Sequence, residues 1–421
     1  MEKIMCIKTR MMFLLAVVVA LMTISSIGMA APTKLVLLSM TDNNYPALDK
    51  HLLEKFHQEN PDIVIEVINK GSHMNVITTY LVAGQQLDIA VLNPCDVISL
   101  GTKDLLVDLD KYVQSEKRFE NWYKPSLNAF RTEKGLWGIP RDMQLPGVFY
   151  NTDAFALTGL KNPSGKWTYD DLKKAANRLN KKDDNGSTTR WGWKFPTWRN
   201  WVPIIWNYGA DFYDNWAEPK SFIGNTPEMY NALHYLQSLV ESEAILDKTN
   251  HAKWGVQKAF MSQTAAMVTT NTFVMGQFKQ ITDFEWDVAP SPYGPSGRKN
   301  YFNGLGWFTF KTCKNYEAAW RFINFVTNEY AMEAMINILG TVPPDRRYQG
   351  QWLAKMDVPI NKRVLFEDIE TAGYPGSLET SLYSLVEKEV LSAMWGETTI
   401  VGAIENMQKM AEIQMAELKN Q

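Results

Sequence analysis

The sequence predicts an α/β protein of two lobes, with a doubly wound sheet in the first part of the chain. The chain has 421 residues, which is more than one compact core usually holds. Its 45% hydrophobic and 21% charged residues are typical of a globular protein with large cores. Short apolar runs alternate with amphipathic segments near the start, and no long linker or repeat interrupts the chain. We therefore expect two lobes joined by strands, rather than domains on a tether.

Three predicted strands and two predicted helices follow the first thirty residues. The strands are TKLVLLSM (33–40), IVIEVI (63–68) and LDIAVLN (87–93). A helix between the first two strands has one apolar face, formed by Leu48, Leu52, Leu53 and Phe56. A second amphipathic helix around VITTYLVAG precedes the third strand. Further along, Thr168 is the predicted N-cap of another helix.

Asp and Asn side chains follow the ends of the first and third predicted strands. In a doubly wound sheet, ligands bind beyond the carboxyl ends of the strands. The candidate ligand-binding residues there are Asp42, Asn43, Asn93 and Asp96. Asp and Asn at such positions also serve as ordinary turn residues, so both interpretations stay open.

The N-terminus predicts a secretory signal peptide over residues 1–30. Lys3, Lys8 and Arg10 precede an apolar run at 11–22, and small residues precede a cleavage point after Ala30. The alternative, a membrane anchor, would need about 20 apolar residues. No cysteine follows the run directly, near the cleavage point, so no lipid attachment is expected. We expect a product that is exported to the periplasm.

Charge and motifs argue against nucleic-acid binding and against several enzyme classes. The formal net charge is −3 and no basic block stands out. The five histidines form no zinc-ligand motif, and no phosphate-binding loop or serine-nucleophile motif occurs. We expect no cofactor and no metal, whereas a glycosidase pair among the scattered carboxylates stays open. Cys95 and Cys313 are expected to be two buried thiols, with a single disulfide as the alternative.

Six segments in a fixed order resemble a known family. They are LDKHLLEKFHQENPDIVIEV, AGQQLDIAVLNP, LWGIPRDMQLPGVFYNTDAF, KWTYDDLKKAANRL, AFMSQTAAMVTTNTF and GLGWFTFKTCKNYEAAWRFINFVTNEYAMEAM. Together they resemble the extracellular solute-binding proteins of carbohydrate-type ABC importers, the maltose-binding-like group, over most of residues 33–415. One departure is Thr272-Phe273-Val274, where relatives often have Gly-Pro-Trp.

The resemblance implies a periplasmic-binding-protein-like (type II) fold, with hinge strands between the lobes. Residues 31–140 with 288–310 would form lobe 1, and residues 145–287 with 311–421 would form lobe 2. The protein would be a monomeric binding protein, not an enzyme, that captures a sugar or oligosaccharide and delivers it to ABC permease subunits. The alternatives are a phosphorylated polyol or other small anion in the same fold, and a secreted carbohydrate-active enzyme.

A sugar site needs aromatic rings for the C–H faces of the ligand and planar polar groups for its hydroxyls. The resemblance makes residues 138–144 the crossing between lobes and directs Arg141 and Gln144 into the cleft, although Arg141 and Asp142 could instead form a surface ion pair. The Trp-rich segment 191–206, whose default role is core packing, offers Trp198 and Arg199. The other candidates come from the ends of later strands and from the C-terminal helices, and they are Asn271, Phe273, Trp307 and Tyr383.

Overall fold

The computed structural model describes residues 31–40, 45–69, 73–194, 201–367, 369–373 and 380–419. The predicted signal peptide lies outside the described residues. Four candidate site residues also lie outside them, namely Asp42, Asn43, Trp198 and Arg199. In the described ranges, no helix is long and apolar enough to cross a membrane.

Two five-stranded sheets organise the described chain. The strands are β1 (Thr33–Ser39), β2 (Ile63–Asn69), β3 (Ile89–Leu92), β4 (Arg131–Thr132), β5 (Gly135–Leu136), β6 (Ile139–Gln144), β7 (Pro146–Asn151), β8 (Lys181–Lys182), β9 (Thr188–Lys194), β10 (Ala265–Asn271), β11 (Trp286–Ala289) and β12 (Asn303–Thr309). Strands β4 and β5 form a separate small hairpin.

Helices cover both sheets. The α-helices are α1 (Tyr45–Glu59), α2 (His73–Val82), α3 (Pro94–Thr102), α4 (Asp110–Gln114), α5 (Lys124–Asn128), α6 (Thr152–Leu157), α7 (Tyr169–Leu179), α8 (Val202–Asn207), α9 (Pro227–Glu241), α10 (Lys248–Lys253), α11 (Val256–Met261), α12 (Met275–Phe278), α13 (Tyr316–Phe325), α14 (Glu329–Ala334), α15 (Gln349–Lys355), α16 (Thr380–Met394) and α17 (Ile400–Lys419). A π-helical turn spans Met335–Leu339, and short 3-10 turns span Lys117–Asn121, Thr272–Val274, Arg346–Tyr348, Lys362–Phe366 and Ile369–Thr371.

The sheet of lobe 1 has the strand order β2-β1-β3-β12-β6. Strands β1, β2 and β3 run parallel, and β12 runs antiparallel to both β3 and β6. The three predicted opening strands are thus confirmed. On α1, Leu48, Leu52 and Phe56 are buried as predicted, while Leu53 is half-buried. This β-α-β-α-β arrangement places the ends of β1 and β3 at one edge of the sheet.

The sheet of lobe 2 has the strand order β11-β7-β10-β9-β8. Strand β7 is antiparallel to β10 and β11, whereas β10 is parallel to β9. The predicted N-cap Thr168 is confirmed, because it forms a reciprocal capping box with Asp171 at the start of α7. The parallel pair matters most for the site, since β9 and β10 end at the same edge of this sheet.

The chain passes between lobes immediately after β6. Strand β6 belongs to lobe 1 and β7 to lobe 2, so Leu145 is the crossing residue. The backbone of Leu145 is fixed by Thr272 on both sides. Its N–H donates to the Thr272 hydroxyl at 3.1 Å, and its carbonyl accepts from the Thr272 N–H at 3.0 Å. A second crossing connects β11 of lobe 2 to β12 of lobe 1, and α16 again packs on lobe 2.

The structure divides the C-terminal third differently from our prediction. Strand β11 pairs with β7, so the sheet of lobe 2 continues past residue 287. Helix α13 packs on β1 and β12, and α14 packs on α1, which places the segment after residue 310 on lobe 1 rather than lobe 2. Helices α16 and α17 pack on α9 of lobe 2. The physical reason is that β12 joins the sheet of lobe 1, and α13, the first helix after β12, packs on that sheet.

Candidate functional site

A cavity of about 630 Å³, here called the main cavity, lies at the ends of β9 and β10. This volume is within the range of small-molecule sites. Its lining comes from lobe 2 and from the segment that crosses into β12, and includes Lys194, Lys248, His251, Trp254, Gln257, Thr270, Asn271, Phe273, Tyr301, Asn303 and Trp395. Two residues predicted from the sequence, Asn271 and Phe273, are among them.

Three aromatic side chains are available to a ligand because they follow the ends of short elements. Trp254 lies in the two-residue connection between α10 and α11, and Trp395 follows the last residue of α16. Both are half-buried. Phe273 lies in the 3-10 turn after β10 and is 39% exposed. Indole and phenyl rings that are partly exposed in this way can stack on the C–H face of a sugar ring.

Amide side chains line the same cavity. Asn271, the last residue of β10, donates from its side-chain amide to the Tyr301 hydroxyl at 3.1 Å. Asn303, the first residue of β12, donates to the side-chain oxygen of Gln144 at 3.1 Å. Gln144 is thus one contact away from the main cavity and orients a residue that lines it. Each amide keeps further donor and acceptor capacity for a ligand hydroxyl.

Lys194 brings a buried positive charge to the main cavity. Lys194 is the last residue of β9 and is 3% exposed. Its ammonium group donates to the backbone oxygen of His251 at 2.9 Å. Burial lowers the pKa of Lys194 to about 8, and among the described residues no carboxylate offsets this effect.

A second cavity of about 250 Å³, here called the interlobe cavity, adjoins the first at Phe273. Lobe 1 contributes Tyr45, and lobe 2 contributes Gln277 and Gln280. Because Phe273 lines both spaces, the two cavities are neighbours. A ligand that filled both would contact both lobes.

Arg141 does not project into the cleft, and we correct that prediction. It is 1% exposed, and its guanidinium carbon lies 4.0 Å from the centre of the Tyr45 ring. Asp142 is also fully buried, so the surface ion pair is wrong as well. Its carboxylate accepts from the Leu305 N–H at 2.9 Å and from the Tyr45 hydroxyl at 3.3 Å. Burial raises the pKa of Asp142, while the charge of Arg141 opposes that rise.

Trp307 and Tyr383 are core residues in this structure, so our prediction that they stack on a ligand needs correction. Trp307 is fully buried in lobe 1, where its ring packs edge-on against the Phe322 ring with 5.7 Å between the ring centres. The adjacent Gly306 does mark a close approach, but the approaching group is the Phe130 ring, 2.4 Å from where a Cβ would lie. Tyr383 stacks on Trp201 at 6.1 Å in the core of lobe 2.

Asn93 and Asp96 form a helix cap. The Asn93 side chain accepts from the Asp96 N–H at 3.2 Å and donates to the Asp96 carboxylate at 2.7 Å, at the start of α3. Neither residue lines the two cavities described above. The local turn interpretation therefore accounts for both, and no ligand role is assigned to them.

Sequence reasoning missed Lys194, Trp254, Tyr301, Asn303 and Trp395. For Trp254 a signal exists, because it stands in a polar stretch directly before Gly255, outside any apolar period. Trp395 likewise stands directly before a glycine, Gly396, and lies twelve residues beyond the tyrosine that the resemblance favoured. Lys194 has no comparable signal, since only the parallel pairing of β9 with β10, in which Lys194 is in register with Val268, brings it to the edge of the sheet where β10 ends.

The family follows from comparison with known proteins. A family model for bacterial extracellular solute-binding proteins matches residues 41–333, which is more than half of the chain. The chain belongs to this family. A Brucella abortus (strain 2308) protein described as a binding protein is 24% identical over 315 residues, or 73% of each chain. The buried thiols Cys95 and Cys313 are compatible with an extracellular family member that does not rely on disulfides.

Solved structures of other proteins establish the fold of this extracellular solute-binding protein. An ABC substrate-binding protein from Listeria monocytogenes in complex with cycloalternan matches with a TM-score of 0.79 and 20% identity, over 91% of this chain and 99% of that one. The sugar-binding protein MalE from Xanthomonas citri also matches with a TM-score of 0.79, at 15% identity, over 92% and 98% of the two chains. The predicted two-lobed α/β fold is confirmed.

Proposed function

We propose that this protein is the substrate-binding component of an ABC importer, that it binds a sugar or oligosaccharide in the main cavity, and that it delivers the sugar to a membrane permease. The observation that carries the proposal is the combination of half-exposed Trp254 and Trp395 with the amides of Asn271 and Asn303 around one cavity. Indole faces suit the C–H faces of a sugar, and amides suit its hydroxyls. The Listeria and Xanthomonas proteins with this fold are described as a cycloalternan complex and a sugar-binding protein, which supports a carbohydrate ligand.

Capture by closure of the lobes is the mechanism we propose. The interlobe cavity joins residues of both lobes beside the main cavity. A ligand that contacts both lobes only when they are closed favours the closed state by its differential affinity. The two hydrogen bonds between Leu145 and Thr272 would be the fixed point of this motion, because they hold the crossing residue to the residue that follows β10. The closed form would then be the form that the permease recognises.

The lining of the main cavity favours binding without catalysis. A glycosidase needs two carboxyl groups about 5–9.5 Å apart. Among the described residues that line the main cavity, none is Asp or Glu. We further propose that the protein acts as a monomer in the periplasm after removal of residues 1–30, since the N-terminal pattern is that of a secretory signal.

A thermal-shift screen tests this function directly. The protein from residue 31 onward is scanned against mono- and oligosaccharides, glycerol phosphates and amino acids. A ligand that binds only the native state raises the melting temperature by mass action. A shift with a saccharide that is recovered chemically unchanged supports the proposal. Conversion of the saccharide to product, or shifts with amino acids alone, would overturn it.

A further inference from the structure

We propose that Lys194 is a specificity residue that binds an anionic group on the ligand, so that acidic saccharides bind more tightly than neutral saccharides of the same shape. This inference rests on the proposed function and names the ligand class more narrowly. The anionic group can be a carboxylate, as in a uronic acid, or a sulfate or phosphate ester, because all three present oxygen acceptors to an ammonium group.

The Lys194 ammonium group has unfilled hydrogen-bonding capacity. An ammonium carries three donors. In the described chain, one donor is used by the backbone oxygen of His251, at 2.9 Å, and no carboxylate forms an ion pair with Lys194. A charge that is 3% exposed and has no counter-ion is costly to maintain. An anion in the main cavity would supply the missing counter-charge and accept hydrogen bonds from the remaining N–H groups of Lys194.

The lining of the main cavity carries basic side chains. The described residues of the main cavity include two lysines and a histidine, and no acidic side chain. Lys248 is paired with Glu397, and that carboxylate is not part of the lining. Lys253 and Lys258 place their ammonium groups 5.6 Å and 5.3 Å from the centre of the Trp254 ring. Two ammonium groups thus lie near the Trp254 ring of the cavity wall, which favours acidic ligands.

Lys194 lies at the same cavity as the amide and indole side chains that would hold a sugar. Lys194 ends β9 and Asn271 ends the adjacent parallel strand β10, so both side chains lie at one edge of the sheet. Trp254 and Trp395 line the same cavity. A saccharide stacked on either indole would therefore present its substituents within the same space as Lys194. The lysine would discriminate between substituents, and the rings would supply affinity that does not depend on charge.

Calorimetric titration with matched ligand pairs tests this inference. The carboxylate pairs are gluco-, galacto- and mannuronate oligosaccharides, each compared with its neutral methyl ester. The other arms are glucose 6-sulfate and glucose 6-phosphate, each compared with glucose. The proteins are the wild type, Lys194→Met, Lys194→Arg and Lys182→Met. Lys182 is a matched control because it is an exposed lysine of β8, next to β9, that pairs with Glu243 at the surface.

For at least one pair, the wild type is expected to bind the acidic member about 10- to 100-fold more tightly, which is the scale of a charge-assisted hydrogen bond. The preference should disappear in Lys194→Met and persist in Lys194→Arg and Lys182→Met. If Lys194→Met does not fold, the inference is judged on two results. The wild type should prefer the acidic member of a pair, and Lys194→Arg should retain that preference. Equal affinity within every pair, or a preference that survives in Lys194→Met, would overturn the inference while leaving sugar binding intact. Failure of every saccharide, neutral or acidic, would instead overturn the proposed function.

Discussion

The ammonium nitrogen of Lys194 lies 2.9 Å from the backbone oxygen of His251, at the point where β9 ends against the main cavity. Lys194 is 3% exposed, so this charge is removed from most of its water. The same burial that makes the residue a candidate for ligand discrimination has a consequence for stability.

The free energy of unfolding should rise with pH in the alkaline range because of Lys194. Burial lowers its folded-state pKa to about 8, whereas an unfolded lysine titrates at about 10.4. Below pH 8 both states carry the proton, and the cost of burying the charge is fully present. Between about pH 8 and 10.4 the unfolded state binds more protons, so stability increases with pH.

Urea unfolding at several pH values checks this prediction. The difference in stability between Lys194→Met and the wild type should change across about pH 8 to 10.4. The change should favour the wild type as the pH rises. Lys182→Met, with its exposed lysine, should stay parallel to the wild type over the same range. Parallel curves for Lys194→Met would show that Lys194 titrates normally.

Tryptophans of the cavity and of the core should respond differently to substitution. Trp254→Ala is expected to weaken sugar binding about tenfold or more, because its partly exposed indole lines the main cavity and can stack on a sugar ring. Trp307→Ala is expected to lower the free energy of unfolding by about 3–5 kcal/mol, because it leaves a cavity in a packed core. Calorimetry measures the first effect and chemical denaturation the second. Unchanged affinity in Trp254→Ala would remove this indole from the site.

Removal of the Arg141 charge should destabilise lobe 1. The guanidinium lies on the Tyr45 ring, and its charge opposes the raised pKa of both Asp49 and Asp142. Arg141→Gln would leave these buried carboxylates without a cation, at an expected cost of about 3–5 kcal/mol. The control is Lys34→Gln, which breaks an exposed ion pair with Glu66 and should cost about 1 kcal/mol or less. Equal costs for both variants in urea unfolding would argue against a buried charge cluster.

Gly304 should not tolerate a side chain. A Cβ there would lie 2.3 Å from the backbone oxygen of Asp142, so β12 and β6 could not keep their spacing. Gly304→Ala is expected to lower the melting temperature. Gly350 in α15 has open space around it, so Gly350→Ala should be neutral or stabilising by up to about 1 kcal/mol. A thermal scan that ranks the two variants in the opposite order would contradict the close packing of these strands.

The fold was predictable because its signals are local and repeated. The apolar runs of β1, β2 and β3, the Leu48–Leu52–Phe56 face of α1 and the Thr168 cap are all visible in the sequence. The lobe boundaries after residue 287 were not predictable in this way. They depend on which sheet β12 joins, and β-strand pairing over long sequence distances leaves little trace in composition.

The site was predicted only in part, because one sequence pattern fits two environments. A tryptophan beside a glycine occurs at Trp307, where the glycine makes room for Phe130, and at Trp254, where the ring lines the main cavity. Asn271 and Phe273 could be predicted because the resemblance marks the end of their strand. Arg141 could not be placed, since nothing local shows that Tyr45 of α1 covers its guanidinium.

Sugar binding in the main cavity is the central claim, and one calorimetric comparison tests it most directly. The wild type and the double variant Trp254→Ala/Trp395→Ala are titrated with the same panel of neutral and acidic oligosaccharides. The account predicts saturable one-site binding of at least one saccharide by the wild type, recovery of that saccharide unchanged, and loss of the binding heat in the folded double variant. Binding that persists undiminished in the double variant, or no binding of any saccharide by the wild type, would contradict it.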